Sequence, residues 1–189
     1  AAVAAADATL RLHDTQEAKR WLAEAPPALR GFEWRYLHGR ADESLGGAAS
    51  QLLSQAIQIN TVNPPGYERP LAEMLVAVAR REGLEARVIE TPSQGSKRGR
   101  AAAWARLPGT GKLPPVVLLS HLDVVRAEPS CWAVDPFGGL VAGGYVVGRG
   151  ALDAKGLAVT HLLAMAALAR GNVELSRDLI FIATPDEET

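Results

Sequence analysis

The chain contains a single cysteine, Cys131, among its 189 residues. One cysteine cannot form an intrachain disulfide framework, and it excludes a zinc site built from several thiolates. A metal ion in this protein must therefore be bound by histidine nitrogen and carboxylate oxygen.

The chain also lacks a strong excess of charge of either sign, since its formal net charge is −1. We therefore expect neither a nucleic acid nor an anionic membrane as a partner. No apolar run approaches the roughly 18 residues of a membrane span. A composition that is 48% hydrophobic and 22% charged is typical of a globular chain with a packed core.

The first residues contain neither an initiator methionine nor the basic start of a secretory signal, and they include Asp7. Without such a signal we expect a cytoplasmic protein. The chain stops at Thr189, directly after an acidic cluster that follows an apolar strand. We therefore expect that both ends are cut.

Residues 1–45 are predicted to be helical, forming a helical hairpin. The Ala-rich start runs to Ala25, Pro26-Pro27 interrupts it, and helical periodicity resumes from Leu29 to Arg40. A linker is predicted from Asp42 to Ser50 because this stretch contains Gly46-Gly47. The chain is thus divided into a helical extension, 1–45, and a second domain, 46–189.

The second domain mixes both kinds of element. Helices are predicted at Gln51–Gln58, Glu68–Glu82 and Lys155–Arg170, and strands at Arg87–Glu90, Ala101–Leu107, Val116–Ser120, Tyr145–Val147 and Asp178–Ala183. Strands that alternate with helices indicate an α/β fold. We expect a mostly parallel central sheet flanked by helices.

The most informative segment is Val116–Val125, an apolar run that predicts a buried strand and ends in His121-Leu122-Asp123. Side chains two apart in extended chain point the same way. One of them can bind a metal while the other accepts the second imidazole N–H. Open α/β sheets place their sites at the carboxyl ends of strands.

Two further acidic points follow apolar elements. Asp153 lies in the glycine-rich stretch 148–156, and Asp186-Glu187-Glu188 follows a strand. A carboxylate has two oxygens and can bridge two ions. Adjacent Glu187 and Glu188 cannot both face one way in extended chain, which suits one ligand with one base beside it.

Each of these residues taken alone also has a purely structural interpretation. His121 fits a satisfied polar residue at a strand end, Asp153 fits a helix N-cap, and the acids at 186–188 fit a solvated loop. The interpretation changes when the residues are read together.

Four motifs in order resemble the M20 zinc metallopeptidases, the group of aminoacylases, acetylornithine deacetylase, succinyl-diaminopimelate desuccinylase and carboxypeptidases. They are His121-x-Asp123, Trp132-x-x-Asp135-Pro136-Phe137, Gly148-Arg149-Gly150-x-x-Asp153-x-Lys155-Gly156 and Asp186-Glu187-Glu188. The resemblance runs from about Leu52 to Thr189. It implies a zinc-peptidase catalytic domain that hydrolyses amide bonds of N-acyl amino acids or small peptides.

The resemblance also implies a role for each motif residue. His121 binds one zinc ion, Asp123 orients it, and Asp153 bridges two zinc ions. Glu187 is the general base, and Glu188 binds the other zinc. Cobalt or manganese are possible substitutes, and the shared water has a pKa lowered to about 7.

The family pattern requires more than this chain contains. Another acidic ligand follows the Asp-Glu-Glu motif, a second histidine lies far downstream, and a smaller lid domain carries dimer contacts. None of these lies within the 189 residues. We therefore expect a truncated catalytic domain that is inactive as a fragment and dimerises only with the lid.

The segment Pro26–Leu37 resembles a helical, tetratricopeptide-like element of bacterial multidomain signalling proteins. This resemblance implies a possible protein partner for the N-terminal helices, while the plainer alternative is a helical extension that packs on the next domain. The alternative function is accordingly a non-catalytic interaction protein with a remnant hydrolase domain. A fusion or joining artefact is a third possibility.

Overall fold

A computed structural model describes residues 2–11, 15–27, 43–91 and 99–189. The chain divides into two compact units, Ala1–Ala48 and Ala49–Thr189. The helix predicted from Leu29 to Arg40 and most of the tetratricopeptide-like segment lie outside the described residues. None of the helices that the structure describes has the length and apolar character of a membrane span.

The first unit begins with two helices, α1 (Ala2–Arg11) and α2 (Thr15–Ala23). Alanine has the highest helix propensity, which favours α1. Ala6, Ala18 and Leu22 are fully buried, and the two helices contact each other. The helical character predicted for residues 1–25 thus takes the form of two helices, the second of which ends at Ala23.

The next helix, α3 (Glu43–Gln58), corrects the predicted linker at 42–50. Two glycines inside a helix cost about 1 kcal/mol each relative to alanine. Burial of Leu52, Ala56 and Ile57 on one side of α3 offsets that cost. The Gly46-Gly47 pair was therefore misread, because apolar periodicity further along the helix outweighs a local glycine signal.

The described residues of the second unit form a four-stranded sheet, a small two-stranded sheet and two further helices. The sheet strands are β1 (Glu85–Thr91), β2 (Arg100–Leu107), β3 (Val116–His121) and β6 (Leu179–Thr184); the small sheet pairs β4 (Leu140–Ala142) with β5 (Tyr145–Val147); the helices are α4 (Arg69–Arg81) and α5 (Lys155–Arg170). These elements agree with the predicted ones to within a few residues at their ends, except for β4, which was not predicted. The α/β class is thus confirmed.

The direction of the strands corrects the predicted mostly parallel sheet. The strand order is β1-β2-β6-β3, and both β1-β2 and β2-β6 are antiparallel, so only β3-β6 is parallel. β1 and β2 follow each other along the chain, and a connection of eight residues favours an antiparallel pair. The helix α5 lies between β3 and β6 in sequence, which is the crossover that a parallel pair requires.

The core lies between one face of this sheet and the helices α4 and α5. Phe181 on β6 is paired with Ala105 on β2 and Leu118 on β3. Phe181 and Ala105 are both buried, and α5 contributes the fully buried Leu162 and Met165. Small residues on β2 allow the helices to approach the sheet closely.

The opposite face of β3 is exposed, which corrects the prediction of a buried strand. Val117 is 50% exposed and Leu119 is 59% exposed. In the described part of the second unit, α4 and α5 contact the sheet from the side of Phe181, and β3 is one of the two edge strands. An apolar run alone does not distinguish a strand covered on both faces from one covered on a single face.

Lys155 is a buried cation at the start of α5, with 1% exposure. Its Nζ donates hydrogen bonds to the carbonyl oxygens of Ala56 at 2.9 Å and Ile59 at 2.7 Å. Burial lowers the pKa of Lys155 to about 7. The lysine of the glycine-rich motif therefore connects the end of α3 to the beginning of α5.

Asp178 joins the turn after β2 to the start of β6. Its carboxylate accepts hydrogen bonds from the backbone N–H of Gly109 at 2.8 Å and from Nε of Arg106 at 2.8 Å. These two donors hold the pKa of Asp178 below its usual value. The ionised carboxylate is therefore favoured in the folded state.

The substitution Asp178→Asn is expected to lower the free energy of unfolding at pH 7. The pKa of Asp178 is lower in the folded state than in the unfolded state. The ionised carboxylate therefore contributes to the free energy of unfolding above the ordinary aspartate pKa of about 4, and this contribution disappears as the pH falls through the folded pKa. Urea unfolding of the wild type and of Asp178→Asn between pH 7 and pH 2.5 measures how the difference in their free energies of unfolding changes with pH. Glu174→Gln, at an exposed acid, is the control, and a difference independent of pH would contradict the assignment.

Candidate metal centre

The centre is built on His121, the last residue of β3. The ring is buried, and its Nε2 lies 2.9 Å from Oδ1 of Asp153. Its Nδ1 lies 3.1 Å from the backbone oxygen of Asp123 and 3.4 Å from Oδ1 of that residue. Burial lowers the pKa of His121, but the contacts with Asp153 and Asp123 outweigh it and hold that pKa above its usual value.

Asp123 is fully buried two residues beyond the strand. Its Oδ2 accepts hydrogen bonds, whereas its Oδ1 has no hydrogen-bond partner among the described residues and faces His121. Both the backbone carbonyl and the carboxylate of Asp123 thus lie on the Nδ1 side of the ring. When the imidazole carries its proton on Nδ1, the lone pair of Nε2 is free and points toward Asp153. A histidine that binds a metal ion through Nε2 needs this free lone pair.

Asp153 lies on a tight loop before α5. Gly150 has a φ of 85°, a left-handed conformation that favours glycine. A Cβ at Gly156 would overlap the carbonyl oxygen of Ala151. The N-cap residue of α5 is Ala154, so Asp153 is not the cap, and its side chain is 79% exposed. The capping alternative for Asp153 is therefore wrong.

The acidic segment follows β6. Asp186 has a φ of 70°, which is uncommon for a residue other than glycine. The backbone N–H of Glu188 donates to Oδ2 of Asp123 at 2.9 Å. Oε2 of Glu187 lies 3.9 Å from Nε2 of His121. The two glutamates therefore lie beside the histidine.

Three ligand atoms converge at this point. One side-chain atom each from His121, Asp153 and Glu188 lies within 4.8 Å of the others. Ligands about 2.0–2.2 Å from a common tetrahedral zinc ion lie roughly 3.3–3.6 Å apart, so only small movements of these side chains would bring all three atoms onto one ion. One imidazole and two carboxylates form a donor set that zinc, cobalt and manganese accept. The residues present therefore fit a metal ion.

Two residues of the centre were missed by the sequence analysis, Asn63 and Arg100. Nδ2 of Asn63 donates to Oδ2 of Asp123 at 2.8 Å and to Oδ1 of Asp186 at 3.0 Å. Arg100 pairs with Asp186 and donates from Nη2 to Oδ1 of Asn63 at 2.6 Å. The hydrogen bonds from Asn63, Thr189 and Arg100 hold the pKa of Asp186 below its usual value. The sequence contained one signal for Asn63, which is a polar residue directly before two prolines.

A recess of about 440 Å³ opens beside Asp153. Its lining includes Trp132, Tyr145, Arg149 and Leu152. Tyr145 is 74% exposed and Leu152 is 92% exposed, and the guanidinium of Arg149 lies 5.4 Å from the ring centre of Trp132. Trp132 thus contributes an apolar wall next to the candidate ligand Asp153, and Arg149 contributes a positive charge beside it.

Comparison with known proteins identifies a peptidase family to which part of this chain is similar. Residues 117–189 match the family model described as Peptidase family M20/M25/M40. Aminoacylase-1 of Sus scrofa is 34% identical over 140 residues, which are 72% of this chain and 33% of that protein. Succinyl-diaminopimelate desuccinylase of Methylobacterium sp. (strain 4-46) is 40% identical over 87 residues, which are 45% of this chain and 22% of that protein.

Solved structures show the same fold. Human carnosine dipeptidase 1 superposes with a TM-score of 0.61 at 24% identity, over 75% of this chain and 32% of that one. An M20 family metallo-carboxypeptidase from Sulfolobus solfataricus gives a TM-score of 0.62 at 22% identity, over 74% of this chain and 31% of that one.

The chain spans between about a fifth and a third of the curated relatives described above. The matches nevertheless include the strand that carries His121, the loop that carries Asp153 and the acidic segment at 186–188. The chain is therefore similar to the M20/M25/M40 peptidase family over residues 117–189 and to aminoacylase-1 over 72% of its length.

Proposed function

We propose that the protein containing this chain is a zinc-dependent hydrolase of amide bonds in N-acyl amino acids or short peptides. In this proposal His121, Asp153 and Glu188 bind the metal, Asp123 orients His121, and Glu187 is the general base. The observation that carries the proposal is the convergence of the three ligand atoms within 4.8 Å.

The position of Glu187 supports its role as base. Its Oε2 is 3.9 Å from Nε2 of His121, and its side chain is 60% exposed. A carboxylate beside the ligands, rather than among them, is free to accept a proton from the attacking water and to return it to the leaving amine. The ion supplies, when bound, polarisation of the amide carbonyl and a lowered pKa for water.

The position of Asp153 supports its role as a shared ligand. Its Oδ1 contacts His121 at 2.9 Å while the side chain remains 79% exposed. The second oxygen of an exposed carboxylate is available to another cation on the solvent side.

The recess beside Asp153 supports the substrate class. Trp132, Tyr145 and Leu152 offer an apolar surface to an acyl chain or an amino-acid side chain. Arg149 adds a positive charge that suits a substrate carboxylate. Aminoacylase-1 and carnosine dipeptidase 1 are named for substrates of this kind.

Substitution of Glu187 by glutamine is expected to lower kcat for N-acetyl amino acids by about 10²- to 10⁴-fold, because proton transfer by a positioned base contributes a factor of this size. The assay uses the gene product that contains residues 1–189, loaded with zinc. Bound zinc is measured in parallel and is expected to stay unchanged, since Glu187 is not a ligand. Full activity of the variant would refute the base assignment.

Metal binding by residues 1–189 provides a second test. Replacement of His121 by alanine or of Glu188 by glutamine is expected to weaken zinc binding by more than the roughly 10- to 100-fold that loss of an outer partner causes. Competition with a chromophoric chelator measures the affinity. Glu128→Gln, at an exposed acid outside the centre, serves as the control, and equal affinities of all variants would contradict the ligand assignment.

A further inference from the structure

A buried amide connects the two segments that carry the centre. Asn63 is 3% exposed and lies in the segment before α4, where Val62 forms a bridge with Val124. Its backbone N–H donates to the carbonyl oxygen of Val124 at 2.9 Å. The backbone around Asn63 is therefore held against the chain that leaves β3.

The side chain of Asn63 uses each of its polar atoms. Nδ2 donates to Asp123 at 2.8 Å and to Asp186 at 3.0 Å, and Oδ1 accepts from Arg100 at 2.6 Å. An amide has two N–H donors, and here each meets a different carboxylate. Arg100 fixes which way the amide points, because its guanidinium can only donate.

The two carboxylates that Asn63 joins belong to different strands. Asp123 follows β3 and faces Nδ1 of His121, and Asp186 follows β6 and precedes the two glutamates. Without the amide of Asn63, the carboxylates of Asp123 and Asp186 would lie near each other at a partly buried site with fewer hydrogen-bond donors to offset their repulsion. Like charges in such a position repel. Asn63 thus stabilises their approach.

The hydrogen bond from Asn63 also fixes which oxygen of Asp123 faces the histidine. Oδ2 is held by Asn63 and by the backbone N–H of Glu188 at 2.9 Å, which leaves Oδ1 directed toward His121. A carboxylate held on one oxygen by two donors cannot rotate freely. The orientation of the imidazole therefore depends on a residue about 60 positions earlier in the sequence.

We infer that Asn63 is a positioning residue of the metal centre, which sets the geometry of His121 through Asp123 and of Glu188 through Asp123 and Asp186. This inference rests on the proposed function, because it assumes that His121 and Glu188 bind the ion. Asn63 is not among the three candidate ligands, and its side chain contacts Asp123, Asp186 and Arg100. Its loss is therefore expected to alter metal affinity and ligand geometry.

The experiment measures Co²⁺ binding to residues 1–189 by competition with a chelator and by visible absorption of the bound cobalt. Asn63→Ala is expected to bind Co²⁺ about 10- to 100-fold more weakly than the wild type, as loss of an outer partner does. Its absorption bands are expected to shift, since they report the geometry of the ligands. Asn63→Ser retains one hydrogen-bond donor and is expected to bind Co²⁺ with an affinity between those of the wild type and Asn63→Ala. It takes the place of Asn63→Ala in the experiment if the alanine variant does not fold.

Thr61→Val is the matched control. Thr61 is fully buried on the same segment, and its Oγ1 donates to the carbonyl oxygen of Leu122 at 2.7 Å. The substitution removes a buried hydrogen bond to the same stretch of chain but touches no carboxylate. Thermal unfolding is expected to show a loss of stability, while Co²⁺ affinity and spectrum remain those of the wild type.

A double-mutant cycle tests the route through Asp123. In an Asp123→Ala background, the effect of Asn63→Ala on Co²⁺ affinity is expected to shrink, because residues that act through one another are not additive. Full additivity, or an Asn63→Ala protein that resembles Thr61→Val, would overturn the inference and leave the proposed function standing. A wild-type chain that binds no Co²⁺ would also overturn the inference, because residues 1–189 would then hold no centre for Asn63 to position.

Discussion

The centre depends on the parallel pairing of β3 with β6. The register sets His121 opposite Thr184, so both chains leave the sheet at the same edge and in the same direction. Two residues further, the carboxylate of Asp123 accepts the backbone N–H of Glu188. That hydrogen bond continues the connection between the two chains beyond the last strand pair. It places an acidic segment and a histidine from distant parts of the sequence beside each other.

The antiparallel part of the sheet has a different consequence. β2 lies on the other side of β6, and its first residue, Arg100, stands near the same edge as the chain that follows β6. A strand that begins where its neighbour ends brings its first side chain to that neighbour's carboxyl end. A fully parallel sheet would have placed Arg100 at the opposite edge. The mixed sheet thus supplies the cation that pairs with Asp186.

The predictability of the site differed from residue to residue. A histidine and acids after apolar elements indicated that these side chains could meet at one edge of the sheet. The choice of His121, Asp153 and Glu188 as ligands came from the resemblance to the M20 metallopeptidases. The roles assigned to them stay predictions. Asn63 could not be found in this way, because its neighbours are set by tertiary contacts that no local periodicity encodes. The direction of β1 and β2 was missed for the same reason, since alternation of elements does not specify which strands pair.

The distribution of burial within the centre bears on how it can work. His121 and Asp123 are buried, whereas the side chains of Asp153 and Glu187 are mostly exposed. An exposed carboxylate keeps its charge in water at little cost, whereas a buried one needs donors, and Asp123 has them in Asn63 and Glu188. Buried positions thus carry the imidazole, and solvated positions carry the two carboxylates that we propose as shared ligand and base. If the centre binds a metal ion as proposed, the loss of conformational entropy would fall mainly on the exposed side chains, because the buried side chains are already held by their contacts.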